Sequence, residues 1–376
     1  MHPFYRPFVR AFAASGFCFS VLVSSMLTAE AVARAEEYGQ TSAPAAKAGN
    51  SFNPDLSVDF LGLFRRDSLG PTSRLASDRN GLLFQEAEVQ FASNVDPYLR
   101  AVALLSVSQA NGSADFGVDP EEVFLETLTL PNVTLRAGKF KAALGKHNML
   151  HTHAYPFIDA PMINRTLLGD EGLNEMGVSA AVLLPTSWYS EFTVQGIANN
   201  NPFIFNSPNS GDFGGVANLK NLWDLSDDTT LEWALFGTEG PNQYLARSWV
   251  YGSDLIVRWR PSEGGKYHSL IWQTEYLAGD IQGNPAGEKL GGLATWLQYQ
   301  FAERWWVQAR GEFDGLPHDQ AMPTVQRQSG LLGFFPSEFS GFRLQYDHTT
   351  GSALADDHRV QLQWNIVIGA HPAHAY

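Results

Sequence analysis

The chain has 376 residues, with 25 Lys+Arg against 39 Asp+Glu, a single Cys, and only 17% charged residues. A formal charge of -14 excludes the usual nucleic-acid binder, which clusters Lys and Arg to neutralise phosphates. One Cys cannot build a disulfide scaffold, and only one apolar run approaches the length of a membrane-spanning helix.

That run opens the chain. Arg6 and Arg10 precede the apolar stretch Ala11 to Leu27, and Ala31-Val-Ala33 and Ala33-Arg-Ala35 offer small-residue cleavage points. Residues 1–35 therefore read as an export signal peptide. Its removal takes Arg6, Arg10 and Arg34 but only Glu30, so the mature chain is cysteine-free and still more acidic. Residues 36–51 are small, polar and patternless, the composition of a flexible periplasmic lead-in.

From Phe52 to the end, 52–376, short segments alternate apolar with polar residues between Gly, Pro, Asn and Asp. In Leu83 to Phe91, Ala87, Val89 and Phe91 share one strand face, while Glu86, Glu88 and Gln90 share the other. Val360, Leu362, Trp364, Ile366 and Ile368 repeat the pattern near the C-terminus against Gln361, Gln363 and Asn365. Tight turns are expected at 94–97, 130–132, 184–187, 226–229, 261–265, 302–304 and 336–340. Longer polar loops lie between them, at 66–81, 109–120, 142–173, 198–214, 238–247, 279–291, 314–328 and 349–358. With a first strand at about 55–65 and a last at about 359–369, the count is about sixteen.

Alternating connection lengths and an even strand count predict an all-β fold, a single transmembrane antiparallel barrel with short periplasmic turns and long extracellular loops. Trp188, Tyr189, Trp249, Tyr251, Trp259, Trp272, Tyr276, Trp305 and Trp306 fall near strand ends, where rings suit the membrane interface. An open edge is untenable in lipid, so such strands must close, and sixteen enclose an aqueous channel. The expectation is an outer-membrane porin of a Gram-negative bacterium, with lipid outside, small hydrophilic solutes inside and no nucleic acid. A homotrimer is compatible with it.

The longest connection is also the richest in functional groups. A strand at about 133–141 carries Arg136, Lys139 and Lys141, and the loop 142–173 adds Lys146, His147, His151, His153, Asp159, Arg165, Asp170 and Glu171. Pro156-Phe-Ile158 and Pro161-Met-Ile163 have the look of packed rather than disordered chain. The loop is expected to fold into the barrel as a constriction. Its eyelet would be lined by Arg136, Lys139, Lys141, Lys146, Asp159, Arg165, Asp170 and Glu171, whose opposed charges select solutes. Glu86 and Glu88 are expected to face the lumen, because charge on the lipid face costs several kcal/mol near the midplane.

Arg136-Ala-Gly-Lys-Phe140 followed by Leu144-Gly-Lys-His-Asn148 resembles porins of the phosphate-selective O and P group. His151-Thr-His-Ala-Tyr-Pro-Phe157 and Gly169-Asp-Glu-Gly172 resemble a subset labelled zinc-regulated TonB-dependent outer-membrane receptors. The resemblance spans about 133–185 and implies a porin-like barrel. A TonB-dependent receptor would need 22 strands, or roughly 220 residues of strand at ~10 each, plus a plug domain, and the chain has no room for one.

His147-x3-His151-x-His153 suggests a weak zinc site, since imidazoles suit Zn²⁺, although the spacing matches no closed structural site. A zinc-linked uptake channel is accordingly the alternative to a general pore. No resident cofactor is expected. Nor is an enzyme, because Gly145-Lys-His-Asn148 has no neighbouring Ser nucleophile and acid pairs such as Asp356-Asp357 read as solvated loop charge.

Overall fold

Period-two alternation leaves each strand with one apolar and one polar face, and the structure resolves this by closing all the strands into one wall. The computed structural model describes residues 54–68, 80–109, 115–209, 211–319, 323–352 and 354–369. The expected signal peptide 1–35 and lead-in 36–51 lie outside the described residues. The strands are β1 (Asp55–Asp67), β2 (Gly81–Asn94), β3 (Leu99–Gln109), β4 (Phe116–Thr127), β5 (Val133–Lys141), β6 (Asn174–Leu183), β7 (Tyr189–Ala198) and β8 (Phe213–Ser226). They continue with β9 (Thr229–Pro241), β10 (Arg247–Trp259), β11 (Ser269–Ile281), β12 (Lys289–Ala302), β13 (Trp305–Asp314), β14 (Val325–Ser337), β15 (Ser340–Gly351) and β16 (Leu354–Gly369). Each pairs antiparallel with its neighbours in sequence. β1 closes on β16, from Ser57 opposite Gly369 to Asp67 opposite Arg359, so no ladder edge is left for lipid to meet.

The two faces are chemically inverted relative to a soluble protein. On the β15–β16 ladder Leu344 sits opposite Leu362, while Arg343 sits opposite Gln363 and Gln345 opposite Gln361. Leu362 is 40% exposed on the outside, and Gln361 and Gln363 are fully buried within. Trp249, Tyr251, Trp272 and Trp305 are exposed on the outer surface, as expected of interfacial rings. At the closing seam Gly62 lies opposite Trp364, and a Cβ at Gly62 would meet the indole at 1.9 Å. A glycine is what lets that ring lie flat across the junction of first and last strands.

The tight connections fall where expected, for example between β8 and β9, β12 and β13, and β14 and β15. Several strands run past their expected ends. β16 begins at Leu354 rather than about 359, and β4 at Phe116, inside the expected 109–120 loop. Outside the apolar band a strand's outer residues meet water, so Asp356 and His358 are polar although they lie in a ladder, and polarity alone mistakes them for loop.

Inside the barrel the polar lining is interrupted by two apolar patches. One joins Phe140, Leu144, Ile163, Leu167 and Leu173 to Ile197, Phe205, Phe236, Val250 and Leu277. The other joins Phe157 and Ile158 to Leu63, Ala294, Trp296 and Leu331. Both contain residues of the 142–173 connection packed on inward-facing strand residues.

Candidate functional site

Residues 142–173 link β5 to β6 through single 3-10 turns at His147–Met149 and Thr152–Ala154 and a short helix, α1 (Met162–Leu168). Such a segment leaves many backbone groups without ladder partners, and buried ones must find side-chain partners. They find them on strands around the barrel.

On the first wall, β2 contributes Glu86 and Glu88, and β4 contributes Glu121 and Glu122. Strict alternation would send the last two to opposite faces. The β3–β4 register instead steps from Leu104 opposite Glu122 to Leu105 opposite Pro120, so Glu121 is the extra residue of a bulge and both carboxylates reach one imidazole. His151 Nδ1 lies 2.8 Å from Glu121 Oε2 and its Nε2 lies 3.0 Å from Glu122 Oε2. His153 Nδ1 lies 2.7 Å from Glu88 Oε2, and the two imidazoles stack with centroids 6.0 Å apart. Burial opposes charge on His151, but the hydrogen bonds to Glu121 and Glu122 outweigh it and raise its pKa to about 10. His153 is raised as well, burial again being overcome, here by Glu88. Glu86 accepts a hydrogen bond from the Ser106 hydroxyl. Lys141 donates its backbone N–H to Glu122 Oε1 at 3.0 Å and its ammonium to the Glu171 carbonyl at 3.2 Å.

On the opposite chemistry, β13, β14 and β15 supply Arg310, Arg327 and Arg343. Arg310 Nη2 donates to Asp159 Oδ1 at 2.8 Å and Arg327 Nη1 to Asp159 Oδ2 at 2.7 Å. Gln345 donates to Asp159 Oδ1 and accepts from the Ile158 N–H, both at 2.8 Å. Arg343 Nη1 donates to the Tyr155 carbonyl at 2.5 Å, and the Arg310 guanidinium lies 4.4 Å over the Phe157 ring. Burial works against ionisation of Asp159, yet the Arg310 and Arg327 guanidiniums hold its carboxyl well below the usual range.

A third stretch of wall accepts backbone donors. Lys146 N–H donates to Asp254 Oδ2 at 2.8 Å, His147 N–H to Glu275 Oε2 at 3.1 Å, and Met162 N–H to Glu312 Oε1 at 2.6 Å. The Lys146 ammonium stands 3.9 Å from Glu232. The His147 ring is buried against Tyr155, centroids 4.5 Å apart, and neither ring nitrogen has a hydrogen-bond partner. Burial, then Arg310 and Lys141, push its pKa down to about 3.

The structure thus brings Glu88, Lys141, His151 and His153 to one wall and Asp159 to another. Of the three histidines expected to share an ion, it stacks His151 and His153 and sets His147 apart, against Tyr155. Among the described residues the donor atoms that come within 4.8 Å of one another belong to Glu88, Glu121 and His151, and His147 is not in the group. Arg136 forms a 2.6 Å pair with Glu126 over the Phe124 ring. Lys139 stands opposite Val123, whose side chain is exposed on the outer face, and its ammonium donates to the Pro120 carbonyl at 2.7 Å. Lys139 therefore faces away from the lumen it was expected to line. Alternation accounts for this, since Lys139 stands three residues from Arg136 on one strand and so takes the opposite face. Arg165 and Asp170 pair with each other at 2.8 Å, Asp170 lying exposed. Sequence reasoning passed over Glu121, Glu122, Arg310, Arg327 and Arg343. Alternation alone could have flagged Arg343 with Gln345 and Arg310 with Glu312 as inward pairs, but not the bulge at Glu121.

No family model matches the chain. An uncharacterized protein of Aquifex aeolicus strain VF5 is 25% identical over 349 residues, covering 80% of this chain and 71% of that protein. Among solved structures, the outer membrane channel DcaP of Acinetobacter baumannii superposes with a TM-score of 0.57 at 11% identity, covering 86% of this chain and 100% of that one. A loop-deletion mutant of OmpT, an outer membrane protein of Vibrio cholerae, gives 0.57 at 10% identity over 85% of this chain and 100% of that one. OprB of Pseudomonas putida gives 0.54 at 8%, over 84% and 94%. Such identities show a shared fold. This chain is a closed sixteen-stranded barrel with an apolar belt and a polar lining and, like the barrels whose fold it shares, an outer-membrane protein of a Gram-negative bacterium.

Proposed function

We propose that the protein is a channel through which small polar or ionic solutes diffuse passively, narrowed by residues 142–173 lying across the lumen. The observation that carries this reading is the set of bonds from that segment to inward-facing residues of β2, β4, β10, β11, β13, β14 and β15, which surround it. A polar lining also suits water, as the apolar outside suits lipid. The constriction would be lined by Glu86, Glu88, Arg136, Lys141, Lys146, Asp159, Arg165, Asp170 and Glu171, with Glu86 and Glu88 on the β2 wall set against the Arg310, Arg327 and Arg343 guanidiniums of β13 to β15, a transverse field across the path. Planar-bilayer recording of the purified protein under a salt gradient tests the reading. Stepwise conductance is expected, and a folded, heat-modifiable barrel that never conducts would overturn it. A homotrimer is part of the same proposal, supported by the trimer form of Vibrio cholerae OmpT, and is checked by unheated gel migration after cross-linking.

A further inference from the structure

We infer that Glu88, Glu121 and His151 form a binding site for one divalent transition cation of the Zn²⁺ type, a site that clips the 142–173 segment to the β2–β4 wall. The three donor atoms lie within 4.8 Å of one another. Even at that full spacing they would stand about 2.8 Å from a common centre, so a movement of about 0.7 Å each reaches the ~2.1 Å zinc distance. Imidazole and carboxylate together suit such an ion better than Ca²⁺ or Mg²⁺, which take oxygen alone.

Two further features point to an occupant. Glu88 is 3% exposed, and its Oε1 is buried without a hydrogen-bond partner, an acceptor atom that nothing in the wall satisfies. The surroundings are also those of a supported ligand set. Glu122 Oε2 sits 3.0 Å from His151 Nε2, the nitrogen on the far side of the ring from Glu121, so it can accept a hydrogen bond from Nε2–H and fix the tautomer in which Nδ1, its proton released to solvent, is left for the ion. His153 Nδ1 braces Glu88 Oε2 at 2.7 Å in the same way. Four carboxylates, Glu86, Glu88, Glu121 and Glu122, converge there, and a dication answers that excess directly. His151 comes from the loop, whereas Glu88 and Glu121 come from two strands, so a bound ion would join the loop to both strands at once.

The binding claim does not depend on the channel proposal, and only its effect on current does. The test uses the full mature barrel in detergent with His371→Gln and His374→Gln, which removes tail imidazoles as a background. Equilibrium dialysis against Zn²⁺ is expected to give one saturable ion per chain, and Co²⁺ a visible ligand-field band that Zn²⁺ displaces. Glu88→Gln and Glu121→Gln should each weaken Zn²⁺ at least tenfold, and Glu122→Gln, acting through His151, by about tenfold. His147→Gln should leave binding intact. Unheated gel mobility confirms that each variant is folded. Absence of saturable Zn²⁺ and of a Co²⁺ band in the parent overturns the site, whatever the variants do. So does binding lost in His147→Gln and retained in Glu88→Gln and Glu121→Gln.

Discussion

The 142–173 segment meets the barrel through two anchors of opposite sign. Toward β2 and β4 the loop supplies imidazoles and the wall supplies carboxylates. Toward β13 and β14 the loop supplies the carboxylate of Asp159 and the wall supplies guanidiniums. A loop pinned by one kind of charge could slide to any similar patch, whereas opposite anchors fix its direction across the barrel. They also differ in concentration. The basic wall focuses two arginines and Gln345 on one carboxyl, while the acidic wall spreads its carboxylates over two rings.

The sharpest way to break this comparison is Asp159→Ala. Removing one member of a buried charge network breaks several charged bonds at once, leaving Arg310 to Glu312 and Asp347 and Arg327 to Glu312, so about 3 kcal/mol of loop anchoring should go, against bonds that are individually worth far less. The Arg310 and Arg327 side chains would then face open lumen. Larger conductance and a shift toward anion selectivity are expected in bilayer recordings, and protease sensitivity confined to residues 142–173 should accompany them. Unchanged conductance with an intact barrel would show that Asp159 anchors nothing that restricts the path.

His153→Gln acts on the other anchor and should do less. It removes a single imidazole from Glu88 while His151 keeps Glu121 and Glu122, so about 1–3 kcal/mol is expected, with a smaller rise in conductance than Asp159→Ala gives. The reverse order of effects would reassign the stronger anchor to the acidic wall.

How far these anchors were legible in the sequence differs between wall and loop. Strands are legible because Leu362 and Gln361 differ in environment as well as in pattern, and one residue of slip would bury the wrong set in lipid. The packed character of Phe157, Ile158 and Ile163 was legible too, from apolar runs set between prolines. The partners were not. Arg310 and Arg327 meet Asp159 across more than 150 residues of chain, and only barrel closure brings them near. Glu121 and Glu122 share an imidazole through a bulge that no alternation rule contains. Lys139, by contrast, was legible: three residues from Arg136 on one strand, it falls on the other face by alternation.

His147 precedes both anchors in the chain and packs on Tyr155, and acid titration probes it. Its folded pKa is about 3 against an ordinary 6.5, so between those values the unfolded chain binds a proton that the folded chain refuses. Stability conferred by burying the neutral ring is therefore full above about pH 6.5 and falls as the pH drops toward 3. His147→Gln has no such proton, and its denaturation midpoint should fall less steeply over that range, by the equivalent of about one proton. Parallel acid limbs in the two proteins would mean that the ring takes up its proton while folded.

The smallest effect belongs to Asp170→Asn, in the same loop. Its pair with Arg165 is as short as the Arg310–Asp159 contact, 2.8 Å in both, but the Asp170 side chain is 57% exposed and that of Asp159 only 7%. Solvent and salt screen the first pair and not the second. About 0.2–1 kcal/mol is expected from Asp170→Asn, shrinking further at high ionic strength, with single-channel current altered only at low salt. Equal distances with unequal consequences isolate burial as the variable. A loss from Asp170→Asn comparable to that from Asp159→Ala would mean that the exposed end of the loop, rather than the arginine wall, holds it in place.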